Sequence, residues 1–177
     1  MSKKKLKIWG AIFAFALCFP LHFIYEKFPN FITSIFAPVN ESIWEHMKII
    51  FGSIILSGVI QKIIILLKKE PINNICFSNF IAALTAIPIY LIMYLPLFYI
   101  IGENMFLAIS IMLITIVISQ IISYKIIIKK DLKLENITIL LVIIVYITFT
   151  LLTYFPIQSD IFIDFKTGNI GIQTKKD

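Results

Sequence analysis

At 177 residues, with 59% hydrophobic side chains and a mean hydropathy of +0.95, the chain is too apolar for a soluble domain and too short for several domains. Its formal charge of +6 comes from lysines set at the ends of apolar runs, not from an aromatic-laced basic patch. That distribution argues against nucleic acid as a partner and for the lipid bilayer.

Five stretches reach the roughly 20 apolar residues that a helix needs to cross a hydrocarbon core. They run from Ile8 to Lys27, Ile43 to Leu67, Ser78 to Ile101, Met105 to Ile128 and Asn136 to Pro156. The expected fold is therefore an all-α membrane protein, with residues 1–156 forming a five-helix bundle and residues 157–177 a tail. The basic N-terminus, Lys3-Lys4-Lys5-Leu6-Lys7, is read as the flank of a retained first helix, because no small-x-small cleavage site precedes a polar sequence.

The first span carries His22 and Glu26 four residues apart, on one face, with Pro20 just before them as a kink. Cys18 and Cys76 fall at different levels of the bilayer in this scheme, so no disulfide framework is implied. Between the first two spans, Phe31, Ile32, Ile35 and Phe36 recur at helical spacing, as expected of a short segment lying in the interface.

The most polar stretch follows, Asn40-Glu41-Ser42-Ile43-Trp44-Glu45-His46-Met47-Lys48. Pro38 disfavours helix before it, and the second span begins within it. Either Asn40 caps the helix, or Ser42 does so in a capping box with Glu45. In either register the expectation is that Glu41, Glu45 and Lys48 share a face with His46 beside them.

Pro88 and Pro96 interrupt the third span, and Tyr90, Tyr94 and Tyr99 line its outer half as an aromatic belt. Small residues spaced four apart, Ser53 and Ser57, Ala82 and Ala86, Ser119 and Ser123, suit close helix packing. The last three spans lack ionisable groups near the midplane, which makes a transporter or channel the weakest reading. In the tail, residues 161–165 and 170–173 around Gly168-Asn169 read as a small β-hairpin that packs near the outward loops and carries Asp160 and Asp164 toward the polar stretch.

The polar groups at the ends of the first two spans are then His22, Glu26, Glu41, Glu45 and His46. Two imidazoles and several carboxylates suit a divalent metal such as zinc, and an open coordination position would let that ion activate water. Glu41 and Glu45 are the candidate catalytic carboxylates in a metal-dependent membrane hydrolase acting on a lipid or envelope substrate. The reading from a different class is a non-enzymatic accessory or packing protein, in which Glu41 favours the helix N-terminus, Glu45 caps or pairs with Lys48, and Trp44 anchors the interface.

The run Asn-Glu-Ser-Ile-Trp-Glu-His, with Pro38 ahead, Lys48 behind and His22 on the first span, resembles an uncharacterised family of small bacterial integral-membrane proteins of low-GC Gram-positive lineages, known only as a domain of unknown function. Phe162, Asp164, Gly168 and Gly171 form a second block of resemblance, and Ile170 stands where an aromatic residue is expected. The resemblance implies a multi-pass protein of the bacterial cytoplasmic membrane and no particular reaction.

Orientation follows from lysine. The N-terminal lysines, Lys62, Lys68 and Lys69, and Lys125, Lys129, Lys130 and Lys133 place eleven of the sixteen on one side, which the positive-inside rule makes cytoplasmic. The N-terminus is then inside and the tail outside. Cysteine labelling in intact cells is expected to find residues 68–74 and 129–135 protected and residues 28–40 and 157–177 accessible. External labelling at position 70 would overturn the scheme.

Overall fold

The computed structural model describes residues 2–172. Helices form where the apolar runs stand: α1 (Lys3–Lys27), α2 (Phe31–Phe36), α3 (Ile43–Leu67), α4 (Ile75–Ile101), α5 (Met105–Ile127) and α6 (Glu135–Tyr154). All but α2 are long and apolar enough to cross a membrane. The 25 residues of α3 rise about 37 Å, comfortably more than a hydrocarbon core of about 30 Å.

The most buried of these helices is α3, packed against α1 on one side and α4 on another, while α5 closes against both α1 and α4. Small side chains set the spacing. Ser57 donates to the Gly10 carbonyl across the α1–α3 seam at 2.7 Å, and a Cβ at Gly58 would stand 2.8 Å from the Asn79 Cβ of α4. Ser53, Ala82, Ala86, Ser119 and Ser123 are also buried. Packing of this kind lets backbones approach where lipid supplies no hydrophobic drive between helices. At the lysine-rich end, Asn74 in the left-handed region donates to Lys130 O at 2.9 Å and accepts from Leu132 N–H at 2.9 Å, joining the two connections there.

At the other end, Ser42 is the cap of α3: its hydroxyl accepts from Glu45 N–H at 3.3 Å, and Asn40 Oδ1 accepts from Ser42 N–H at 3.0 Å. Glu45 does not reach back to Ser42 as a capping box requires. Its carboxylate instead accepts from Val39 N–H at 3.2 Å and from the Thr153 hydroxyl of α6 at 2.6 Å. Lys48 Nζ stands 2.7 Å from Glu45 and also donates to Ser34 O at 2.9 Å and to Thr153 Oγ1 at 3.0 Å. Both charged groups are buried, Glu45 at 1% and Lys48 at 0% exposure.

The tail differs from the hairpin expectation. After α6 the chain makes a 3-10 turn over Asp160–Phe162, and among the described residues the only strand-like pairing is a single antiparallel bridge, Ile163 to Ile170. Gln173 of the expected second strand lies outside the described residues. Side-chain packing holds the tail in place instead: Phe162 stacks on Trp44 at 4.9 Å between ring centroids, and Phe165 lies 4.6 Å from Phe98. Asp164 is turned inward to its own turn, accepting from Lys166 N–H and the Thr167 hydroxyl, and so organises the loop locally.

A buried ion pair loses most when one partner is removed, because the other charge stays behind unpaired. Glu45→Gln or Lys48→Met alone should therefore destabilise the detergent-solubilised protein by roughly 3–5 kcal/mol, while replacing both together should cost much less. Thermal unfolding of the two single variants and the double variant tests this, and simple additivity would contradict it.

Candidate functional site

The cap register decides where the signature's polar groups go. Because α3 starts after Ser42, Glu41 lies ahead of the helix and does not share its Glu45–Lys48 face. Glu41 turns toward α1, where its Oε2 stands 3.5 Å from His22 Nε2 and 3.6 Å from His46 Nε2. The two imidazole centroids are 5.6 Å apart at an interplanar angle of 68°. One ligand atom from each of His22, Glu41 and His46 lies within 4.8 Å of the others, the only such group of three or more metal-ligating residues among the described ones.

The His46 ring is fixed through its other nitrogen. Nδ1 lies 2.9 Å from Ser42 O, a contact in which a protonated Nδ1 donates and leaves the lone pair on Nε2, facing Glu41. His22 Nδ1, in contrast, is buried without a hydrogen-bond partner.

The second Glu41 oxygen accepts from Lys166 Nζ at 2.8 Å. The nearby His22 imidazole, reinforced by Lys166, holds the Glu41 carboxyl down to about 2 against the opposing effect of burial, and the Glu41–Lys166 pair raises Lys166 above its ordinary value.

The three groups sit in a cavity of about 490 Å³ between the C-terminal part of α1 and the N-terminal part of α5. Glu26 and Glu103 share its wall, and Phe19, Phe23, Met105 and Ile109 form an apolar side. Of the five residues proposed from sequence as ligands, His22, Glu41 and His46 converge and Glu26 lines the same space. Glu45 stands apart in its pair with Lys48, and Asp160 bonds the Tyr99 hydroxyl instead of the cluster. Sequence reasoning missed Lys166 and Glu103. Both lie in short polar turns whose positions in space no local pattern reveals, although the tail's return toward the polar stretch was legible.

Residues 1–172 match the model of a family of unknown function, DUF6512, and the chain belongs to that family. No curated protein and no solved structure matches it. The family, together with five helices of membrane-crossing length and composition, makes this a membrane protein of unknown function carrying a Glu/His cluster.

Glu41 has a folded value near 2 against an ordinary 4.5, so the stabilisation it lends is complete above about pH 4.5 and is lost as the pH falls through about 2. The melting-temperature gap between the protein and Glu41→Gln should narrow across that window. A gap that does not change with pH there would show that the carboxylate is not charge-stabilised.

Proposed function

We propose that this protein is a multi-pass protein of the bacterial cytoplasmic membrane whose outward His22, Glu41 and His46 hold a divalent metal, most suitably zinc, for hydrolysis of a lipid or envelope substrate. The observation that carries the reading is the spacing of the three donors. Both His Nε2 atoms approach one Glu41 oxygen at 3.5 and 3.6 Å, too far for well-formed hydrogen bonds. Ligand atoms around a tetrahedral zinc with bonds of 2.0–2.1 Å lie about 3.3–3.4 Å apart, so both His–Glu41 distances are within a few tenths of an ångström of that spacing, while all three ligand atoms lie within 4.8 Å of one another and the two imidazoles would have to close on the ion. Three protein ligands leave a fourth position open, the arrangement of catalytic zinc sites.

In that role Glu41 is a ligand, and the carboxylates available to accept a proton from an activated water are Glu26 and Glu103 on the cavity wall. Glu45, buried and paired with Lys48, is a structural group in this scheme. The mixed lining, with acidic and imidazole groups on one side and phenylalanines on the other, fits a substrate with a polar head and an apolar chain.

One observation favours the rival reading of a non-enzymatic accessory protein. Lys166 already neutralises Glu41 at 2.8 Å without any metal. Elemental analysis separates the two. The purified protein should carry about one zinc per chain or gain thermal stability on adding it, and His46→Ala and Glu41→Ala should each abolish both effects, since binding to the folded state alone stabilises it. Absence of metal, no thermal shift with zinc or manganese, and indifference to chelator would leave the accessory protein standing.

A further inference from the structure

The tail brings to the cluster a side chain that divides the Glu41 carboxylate between two tasks. Lys166 Nζ donates to Oε1 at 2.8 Å, whereas both imidazole Nε2 atoms approach the other oxygen, Oε2, at 3.5 and 3.6 Å. A carboxylate free to rotate can offer an ion one oxygen or both, so what holds its second oxygen decides which.

The place of Lys166 is set by the turn that carries it. Asp164, only 8% exposed, accepts from Lys166 N–H at 2.9 Å and from the Thr167 hydroxyl at 2.7 Å, and its carbonyl accepts from Gly168 N–H at 2.7 Å. Phe162 on Trp44 and Phe165 beside Phe98 seat the chain around this turn. Past it, Asn40 Nδ2 donates to Gly171 O at 3.0 Å. Gly171 has φ +74°, and a Cβ there would stand 2.9 Å from Pro156 Cγ, so the chain passes this point only as glycine. Asn40 directly precedes Glu41. The segment bearing Glu41 and the turn bearing Lys166 are therefore tied at two points, and neither contact involves a histidine.

We infer that Lys166 is a positioning residue of the metal site, holding Glu41 Oε1 so that Oε2 alone is presented to an ion between His22 and His46. The inference rests on the metal reading above, and adds to it which oxygen binds and what keeps it there. Because Lys166 and the ion use different oxygens, neither has to displace the other. The Lys166 side chain is 64% exposed, so water screens the repulsion between ammonium and ion, while loss of its hydrogen bond frees the carboxylate to turn. A mere counter-ion acts with the opposite sign: it competes with the metal for one negative charge, and removing it tightens metal binding.

The test uses the full chain in detergent. Lys166→Met removes the charge and the donor but keeps an unbranched chain, and Lys166→Arg keeps a cationic donor. Zinc affinity is measured by competition with a chromophoric chelator, and coordination is read from the visible absorption of the cobalt(II)-loaded protein. Lys166→Met should weaken zinc about 10–100-fold, the usual effect of losing a group that holds a ligand in place. At saturating cobalt it should also lose absorption intensity, as Glu41 binds through both oxygens and a tetrahedral ion becomes five-coordinate. Lys166→Arg should keep the spectrum and most of the affinity.

An exposed ion pair contributes little to folding, so the metal-free melting temperature of Lys166→Met should stay close to that of the unaltered protein. Its loss of affinity is then not a loss of fold. Zinc binding by Lys166→Met as tight as in the unaltered protein, or tighter, would overturn the inference and leave the metal site in place. An unchanged cobalt spectrum at saturation would do the same. Failure of the unaltered protein to bind zinc or cobalt would overturn both.

Discussion

The Glu45–Lys48 pair is the constraint on which the end of the molecule opposite the lysine-rich one depends. An ammonium and a carboxylate with almost no exposure persist at such a depth only if each is paired and its remaining donors and acceptors are used. Here they are used by four different parts of the chain: Ser34 O from α2, Val39 N–H from the connection, the start of α3, and Thr153 from α6. The pair thus ties the short interfacial helix and the last span to the central one. With these fixed, the segment from Ala37 to Ser42 has one path, and that path puts Glu41 beside α1.

This accounts for the density of polar residues in the run from Pro38 to Lys48. The residues separate into two sets by direction. Asn40, Ser42, Glu45 and Lys48 build the turn, the cap and the buried pair, while Glu41 and His46 face the cavity with His22. Ser42 serves both sets, because its hydroxyl caps α3 and its carbonyl orients the His46 ring. A disturbance of the cap is accordingly felt at the imidazole, as expected of groups that hold a ligand by its second nitrogen. Trp44 completes the arrangement by packing on Phe149 of α6 and on Phe162 of the tail, which brings the following turn and its Lys166 back over Glu41.

Much of the fold was legible because a bilayer admits few solutions for the backbone. Runs of Ile, Leu and Phe of sufficient length can only be helices there, and the observed α3 has the bounds read from sequence, Ile43 to Leu67. The short helix α2 was legible from the spacing of Phe31, Ile32, Ile35 and Phe36. Other features required knowledge of neighbours. Lys7 reads as an interfacial flank in sequence, but the structure buries it among Gln61, Ser78 and Asn79 from two other helices. The tail had turn chemistry suited to a hairpin, yet a two-stranded ribbon is marginal by itself, and aromatic packing on α3 and α4 determines its course.

The least legible point was the phase of one helix. With Asn40 as the cap, Glu41 and Glu45 would lie four residues apart on one face, and two carboxylates at a low-dielectric edge would need compensation by a cation, by protonation of one of them or by Lys48. With Ser42 as the cap, Glu41 falls outside the helix and the two acids are assigned to different partners: Glu45 to Lys48, and Glu41 to Lys166 and the imidazoles. No repulsion between the two acids therefore calls for a metal. The structural motive for a metal is a different one: two imidazole nitrogens directed at one carboxylate oxygen across distances too long for good hydrogen bonds and close to those between ligands of a common ion. Because this motive involves one carboxylate and both imidazoles, metal affinity should follow His22, Glu41 and His46, while Glu45 governs stability through the pair that shapes the segment they stand on.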